Sequence, residues 1–324
     1  GLNIDALKKF KEDVVTLIIT ADCGITDIAE VAFAEENGIN VILTDHHLPR
    51  TQCLQVEPVN IGKEELPRAY AVINPKRSDN AYPFDGLCGA GVACKLVTAL
   101  LIRGREKGAF DIKNGWEKWL LDMAGIATVC DRVPLLGENR AIAHFGLKVL
   151  RKSPRAGIRA FCSALRIRQE FLNEEDIGFS IGPYINAASR MSAPIKAFEF
   201  LSAEDEGEAE RLVRELGRLN DQRKGFVASI IKEIKHRFVS EEMRAVLVAG
   251  NPAWHPGLLG LAANTLMEQF ARPVFLWGGG EVAILKGSCR SDGSVHVVEL
   301  MRKAANLFSD FGGHEFSGGF SVSR

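Results

Sequence analysis

Two short apolar runs end in the same way. VVTLIIT (14–20) leads into ADCGIT, and INVILT (39–44) leads into DHHLP, so each run is closed by an aspartate, Asp22 and Asp45. Runs of this length, rich in β-branched residues, read as short buried strands. Between them DIAEVAFAEEN (27–37) has helical spacing, and Gly38 closes it. Strand, helix, strand at this spacing is a βαβ unit, so the two strands run parallel. The chain is thereby held to an α/β fold. Both aspartates fall at the carboxyl ends of parallel strands, the edge where open α/β sheets bind ligands.

If the strands are neighbours, they lie ~4.8 Å apart. Asp22, Asp45, His46 and His47 then converge within a few ångströms. Carboxylates without compensation repel, and a cation between them is the simplest stabiliser. Mixed carboxylate and imidazole donors suit Mn²⁺ or another divalent first-row ion. A single aspartate after a strand is commonly a turn or cap residue. Two adjacent histidines behind an aspartate, at a second such edge, resist that plain explanation. Asp131, in ATVCDRVPLLGENR, follows another apolar stretch and is a third acidic candidate.

Helical patterns are expected over 87–103, 115–129 and, in two or three pieces, 139–170. Residues 205–238 read as one long amphipathic helix, with Leu212, Leu216, Leu219, Phe226, Ile230, Ile234 and Phe238 at three- and four-residue steps. Strand-like runs resume at 245–250, 273–277 and 282–287. The expected organisation is a first domain at 1–200, a connecting helix at 201–240 and a second domain at 241–324.

That second domain carries two anion-binding candidates. In FGGHEFSGGF (311–320) glycine pairs flank His314, and glycine lets backbone N–H groups approach an anion closely. KGSCRS (286–291) gathers Lys286, Ser288, Arg290 and Ser291 in what reads as one loop, the donors that a phosphate wants. Either segment could equally be a plain turn. A basic run, Lys148, Arg151, Lys152, Arg155, Arg159, Arg166 and Arg168, could line a nucleic-acid path or be a solvated helical face. Trp254 could stack on a base, or sit in the core.

Composition narrows the alternatives. The net charge of the 324 residues is −1, so any polyanion site is a local patch. No segment approaches the ~18 uninterrupted apolar residues of a membrane span, and no signal-peptide pattern is present. Seven dispersed cysteines without a C-x-x-C argue against a disulfide framework or a zinc ribbon, and for a reduced cytoplasmic protein. The first residue is Gly, so an upstream start is expected.

ADCGIT, TDHH, LCGAGVACKL, ATVCDRVPLLGENR, GPYINAASRM, WHPGLLGLAANTLMEQFARPVFL, KGSCRS and FGGHEFSGG, in this order, resemble the DHH phosphoesterase family and, within it, the RecJ single-stranded-DNA exonucleases. The resemblance implies a parallel-sheet DHH domain joined by a long helix to a smaller α/β DHH-associated C-terminal domain. It implies Mn²⁺ or Mg²⁺ as cofactor, two ions in the complete protein. Asp22 would bridge the ions, and His46 and Asp131 would share one of them. Asp45 would orient the cluster, and His47 would face the scissile phosphate or the attacking water. Arg190, His255, Ser288, Arg290 and His314 would contact nucleotide phosphates.

The implied activity is 5′-to-3′ hydrolysis of single-stranded DNA to 5′-mononucleotides in repair and recombination, with a single-strand-binding protein or a helicase as further partners. Two other readings stay open. One is a nanoRNase or cyclic-dinucleotide phosphodiesterase of the same family; the other is an inactive RecJ-like DNA-binding scaffold. The sequence departs from the family in three places. The family's Asp-x-Asp-Gly first motif is not among these residues. Tyr184 and Ser189 stand where RecJ proteins commonly carry Arg and Gly. The longer RecJ proteins continue past the second domain into an oligonucleotide-binding fold.

Overall fold

The computed structural model describes residues 1–52, 63–191, 193–238, 245–279 and 284–323. Cys53 and the first two residues of the expected 282–287 strand, Val282 and Ala283, lie outside them. The chain divides into two compact units, Gly1–Gly182 and Pro183–Arg324.

The first unit opens with α1 (Ile4–Glu12), whose first turn is capped by the Asn3 side chain. There follow β1 (Leu17–Ala21), α2 (Ile28–Glu36) and β2 (Asn40–Thr44). β1 and β2 pair in parallel, Ala21 opposite Thr44, so the βαβ unit is formed. β3 (Arg50–Gln52) and β4 (Lys63–Glu65) pair with each other in a separate ladder. β5 (Ala71–Ile73) adds in parallel to β2, giving a sheet in the order β1-β2-β5. Leu7, Ile25, Val31, Ala34, Ile39, Val41 and Leu43 form the core between sheet and helices.

One expectation needs correction here. β1 is not buried on both faces: Leu17 and Ile19 are 47% and 57% exposed, while Ile18 packs on the core. Among the described residues β1 is one of the two edge strands of the sheet. An apolar run reports strand propensity, not how many faces are covered.

The rest of this unit is helical: α3 (Gly89–Glu106), a 3₁₀ turn at Trp116–Leu120, α4 (Leu121–Cys130), α5 (Gly137–Leu150), α6 (Ala156–Ala164) and the single turn α7 (Glu174–Asp176). α4 and α5 touch through glycine. A Cβ on Gly146 would lie 2.5 Å from the Leu121 carbonyl oxygen and 2.8 Å from Gly125 Cα. That close crossing sets the first half of α4 against the last turns of α5. The basic run is largely used locally. Arg155 pairs with buried Asp122, Arg151 and Arg159 donate to the Leu172 and Pro154 carbonyls, and Arg168 lies over the Phe171 ring.

α8 (Gly182–Arg190) leads into the second unit, followed by α9 (Pro194–Ser202) and the 33-residue α10 (Glu206–Phe238). The sheet comprises β6 (Leu247–Gly250), β7 (Val274–Gly278), β8 (Ile284–Arg290), β9 (Asp310–Gly313) and β10 (Ser317–Ser323), in the order β6-β7-β8-β10-β9. β6 and β7 are parallel and the remaining pairs antiparallel. α11 (Pro256–Phe270) packs on β7 and β8, and α12 (Val297–Lys303) on β9 and β10.

α10 is amphipathic as expected, with Leu212, Leu216, Ile230 and Ile234 buried, although Phe226 is 53% exposed. Ile230 and Ile234 join the core of Trp254, Leu258, Leu259, Ala262 and Leu276. The helix therefore belongs to the second unit, and the division falls ahead of it, not within it. Trp254 is a core residue whose Nε1 donates to Glu233. One further reading changes: KGSCRS is mostly strand β8, not a loop. GPYINAASR is helix α8, which continues without a break from a π-helical segment at Ile177–Ile181, so Pro183 lies inside a continuous helical run. Among the described residues no helix is long and apolar enough to cross a membrane.

Candidate metal centre and phosphate site

Asp22 and Asp45 are the first residues beyond their paired strands. Asp22 adopts φ 64°, a left-handed turn that aspartate tolerates better than most residues, and its N–H donates to the Thr44 carbonyl. The turn presents its carboxylate to His46, with Oδ1 3.1 Å from Nε2. The start of α3 closes on the same carboxylate: a Cβ on Gly89 would lie 2.3 Å from Asp22 Oδ1. Only glycine admits that approach, and the positive end of the helix dipole favours an anion there.

Asp45 is 1% exposed and points inward. Its carboxylate accepts the backbone N–H groups of Ile25, His46 and His47 and a ring nitrogen of His47, Nδ1, at 2.7 Å. Burial alone would push this carboxyl up, but donation from Ile25, His47 and His46 outweighs it and holds the group below the ordinary carboxylate range. An anion so enclosed orients its neighbours and has no lone pair left facing out.

His46 is nearly buried, with Nδ1 3.1 Å from the Leu87 carbonyl oxygen. That carbonyl can only accept, so Nδ1 carries the hydrogen and Nε2 faces the carboxylates. Asp131, the residue ending α4, brings Oδ2 to 3.8 Å from the same Nε2. Asp22 holds the imidazole above its ordinary pKa against the opposing effect of burial, and Asp131 adds to the rise. Donor atoms of Asp22, His46 and His47 lie within 4.8 Å of one another. Two carboxylates converging on a ring nitrogen whose tautomer is fixed from behind is a donor set that fits a divalent first-row ion. Cys130, beside Asp131, is not part of it: its Sγ donates to the Ile177 carbonyl at 3.9 Å, and burial, with Asp131 adding, pushes its thiol up to about 11.

The second unit gathers the opposite charge. Arg290, at the end of β8, donates through Nη1 to Ser288 Oγ at 3.2 Å and to the Cys289 carbonyl at 2.7 Å. In a strand Ser288 and Arg290 share one face, and that face meets α11 at a glycine: a Cβ on Gly260 would lie 2.8 Å from Arg290 Nη2 and 3.1 Å from Ser288 Oγ. One turn earlier, Arg190 donates to the Gly257 carbonyl. Burial lowers the pKa of Arg190, and the neighbouring charges of Arg223 and Arg290 lower it further. Arg190 is therefore repelled by two guanidinium groups, Arg223 and Arg290, in a half-buried site. None of them is paired with a carboxylate among the described residues. His255 serves as N-cap of α11, its Nδ1 accepting from Gly257 N–H. His314 sits exposed at the β9–β10 turn. The flanking glycines face each other across the ladder, Gly313 opposite Gly318, where a Cβ on Gly313 would lie 2.3 Å from the Ser317 carbonyl oxygen. Close strand approach accounts for Gly313 and Gly318, whereas a side chain at Gly312 or Gly319 would meet no close neighbour.

The structure thus brings together Asp22, Asp45, His46, His47 and Asp131 in one unit and Arg190, Ser288 and Arg290 in the other. No hydrogen bond ties His314 to the latter group among the described residues. Sequence reasoning missed Arg223, one cation among many on α10. It also missed Gly89, Gly257 and Gly260, whose signal was only the glycine content of CGAG and PGLLG.

A family model described as the DHH family, N-terminal domain, matches residues 3–128, and one described as the DHHA1 domain matches 243–324. Together they span well over half of the sequence, and the chain belongs to the DHH family. It is 34% identical over 99% of its length to the single-stranded-DNA-specific exonuclease RecJ of Bacillus subtilis, of which it covers 38%. Among solved structures it is similar to RecJ of Thermus thermophilus in complex with Mn²⁺ (TM-score 0.81, 31% identity, 100% of this chain and 44% of that one). It is also similar to an exonuclease RecJ bound to manganese (TM-score 0.78, 31% identity, 100% of this chain and 75% of that one). The chain spans between a third and three fifths of the lengths of the RecJ relatives from B. subtilis and Escherichia coli.

Proposed function

We propose that this chain carries the nuclease centre of a divalent-metal-dependent 5′-to-3′ exonuclease that hydrolyses single-stranded DNA to 5′-mononucleotides. The observation that carries the reading is the convergence of Asp22 and Asp131 on His46 Nε2. Asp22, His46 and Asp131 would hold Mn²⁺ or Mg²⁺. Such ions supply Lewis acidity and an activated water to a phosphodiester. Asp45 anchors His47 through Nδ1 and leaves the rest of its ring exposed, so His47 can meet the attacking water or the scissile phosphate. Arg190, Ser288 and Arg290, with Arg223, His255 and His314, would bind the strand's phosphates, for which forked guanidinium donors are suited. Service in DNA repair and recombination, a cytoplasmic site of action and cooperation with a single-strand-binding protein or a helicase belong to the same reading. The test is Mn²⁺-dependent digestion of a long single-stranded DNA labelled separately at each end, with Asp131→Ala as control. Loss of the 5′ label as mononucleotide, absent in the variant, is expected; cleavage independent of Asp131 overturns the reading.

A further inference from the structure

The start of α5 holds an asparagine that takes no part in the donor set and is fully buried. Asn139 is 0% exposed. Its Nδ2 donates to the Gly86 carbonyl at 2.6 Å and to the Pro134 carbonyl at 3.0 Å. The two acceptors belong to different segments. Gly86 immediately precedes Leu87, whose carbonyl fixes the His46 ring, and it lies three residues before Gly89, against which Asp22 packs. Pro134 lies three residues after Asp131, across the left-handed turn at Arg132 (φ 54°). One amide group therefore fastens the segment that orients His46 to the segment that carries Asp131.

The assignment of the amide is fixed by its partners, since both acceptors are carbonyls and only the NH₂ can serve two of them. Asn139 Oδ1 is the one buried side-chain polar atom without a partner among the described residues. A buried acceptor left open is a cost that packing alone does not explain. Leucine would fill the same space without it, but would strand the Gly86 carbonyl. A second, weaker tie runs in parallel. Cys88 Sγ lies 3.6 Å from Thr128 Oγ1, and Thr128 spends its own hydrogen on the Ala124 carbonyl, so the thiol is the donor.

We propose that Asn139 is a positioning residue for the metal centre: its amide clamps the 86–89 and 131–134 segments together, and so sets the approach of Asp131 to the His46–Asp22 pair. The inference deepens the metal-dependent reading above, on which its metal-binding consequence rests, while the clamp itself does not require an ion. Outer partners that orient metal ligands typically carry about 10–100-fold in metal affinity.

The experiment compares Asn139→Ala with Ile158→Ala, a core truncation on α6 away from the site, by amide hydrogen exchange of the metal-free chain and by Mn²⁺ titration. Asn139→Asp, of equal size but without the NH₂ donors, serves as the second variant and removes the cavity as an explanation. Exchange over 84–89 and 131–136 should rise selectively by about tenfold or more in both Asn139 variants, with Mn²⁺ affinity falling about 10–100-fold. Changes no greater than those of Ile158→Ala would overturn the clamp. If the unaltered chain takes up no Mn²⁺, the metal reading fails on its own, and the exchange comparison still decides the clamp.

Discussion

The two units solve opposite electrostatic problems with the same device. In the first, Asp22 and Asp131 crowd one imidazole, and the set is short of positive charge. In the second, Arg223 and Arg290 both act on Arg190, and the set is short of negative charge. In both, a glycine on a helix lets the charged group come close: Gly89 for Asp22, Gly260 for Arg290. In the second, Arg190 and Arg290 donate to backbone carbonyls and Arg223 to the Asn220 side-chain oxygen, not to a carboxylate. A like-charged cluster kept without its counter-charge is a site prepared for a ligand of the opposite sign. Under the proposed function, the first unit would take the cation and the second the phosphate anion.

Removing a ligand from the acidic set tests that contrast most severely. Asp131→Ala or His46→Ala should abolish Mn²⁺-dependent cleavage while leaving circular dichroism unchanged and 5′-phosphorylated strand binding near its original affinity. Full cleavage by either variant breaks the metal assignment. Next comes the basic set. Arg290→Ala should weaken binding of a 5′-phosphorylated single strand by about 1.5–3 kcal/mol, the range for hydrogen bonds to charged groups, and leave Mn²⁺ affinity intact. Equal losses for phosphorylated and unphosphorylated strands, measured by fluorescence anisotropy, would remove the phosphate from the argument.

Gly260→Ala sharpens the comparison without touching a charge. The added methyl would meet Arg290 Nη2 and Ser288 Oγ, so strand affinity should fall less than in Arg290→Ala, again without effect on Mn²⁺.

The smallest effect is on stability, away from both sets. Glu233 holds Trp254, Asn251 and Arg237. Burial alone would raise its pKa, but these partners outweigh it and hold it below the ordinary glutamate value. A depressed folded-state pKa gives stability that is present above the unfolded value, ~4.3, and is lost as pH falls through the folded one. The melting temperature of Glu233→Gln should therefore lie below that of the parent at pH 7, with the gap closing as pH falls below about 4. A gap independent of pH would refute the role of the charge.

The acidic set was legible in sequence because βαβ spacing and parallel pairing place Asp22 and Asp45 at one edge before any coordinates are known. Asp131 was weaker, since nothing in its own segment says that α4 ends beside β2. The basic set was half legible. Ser288 and Arg290 were found, but KGSCRS was read as a loop, because Gly, Ser and Cys lack the β-branched signal of a strand. Arg190 came only through family resemblance, and Arg223 is one of many basic residues on an amphipathic helix, with no periodic mark to separate it. Glycines that work by absence, such as Gly89 and Gly260, show their role only when the neighbouring helix or strand is in place. The exposure of Leu17 and Ile19 was hidden for the same reason, since burial belongs to the partner and not to the run.

The pairing of Ala21 with Thr44 has a consequence for how such a chain can change length. Because Asp22 and Asp45 each follow that pair directly, they stand at one level. A residue inserted in β1 or β2 would displace one aspartate by ~3.3 Å along the strand and turn its side chain to the other face. The turn between β1 and α2 is bound to the same level, because the Ile25 N–H donates to the Asp45 carboxylate. Of the segment between the two strands, the exposed turn at Gly38 is the place where a change of length disturbs the pair least.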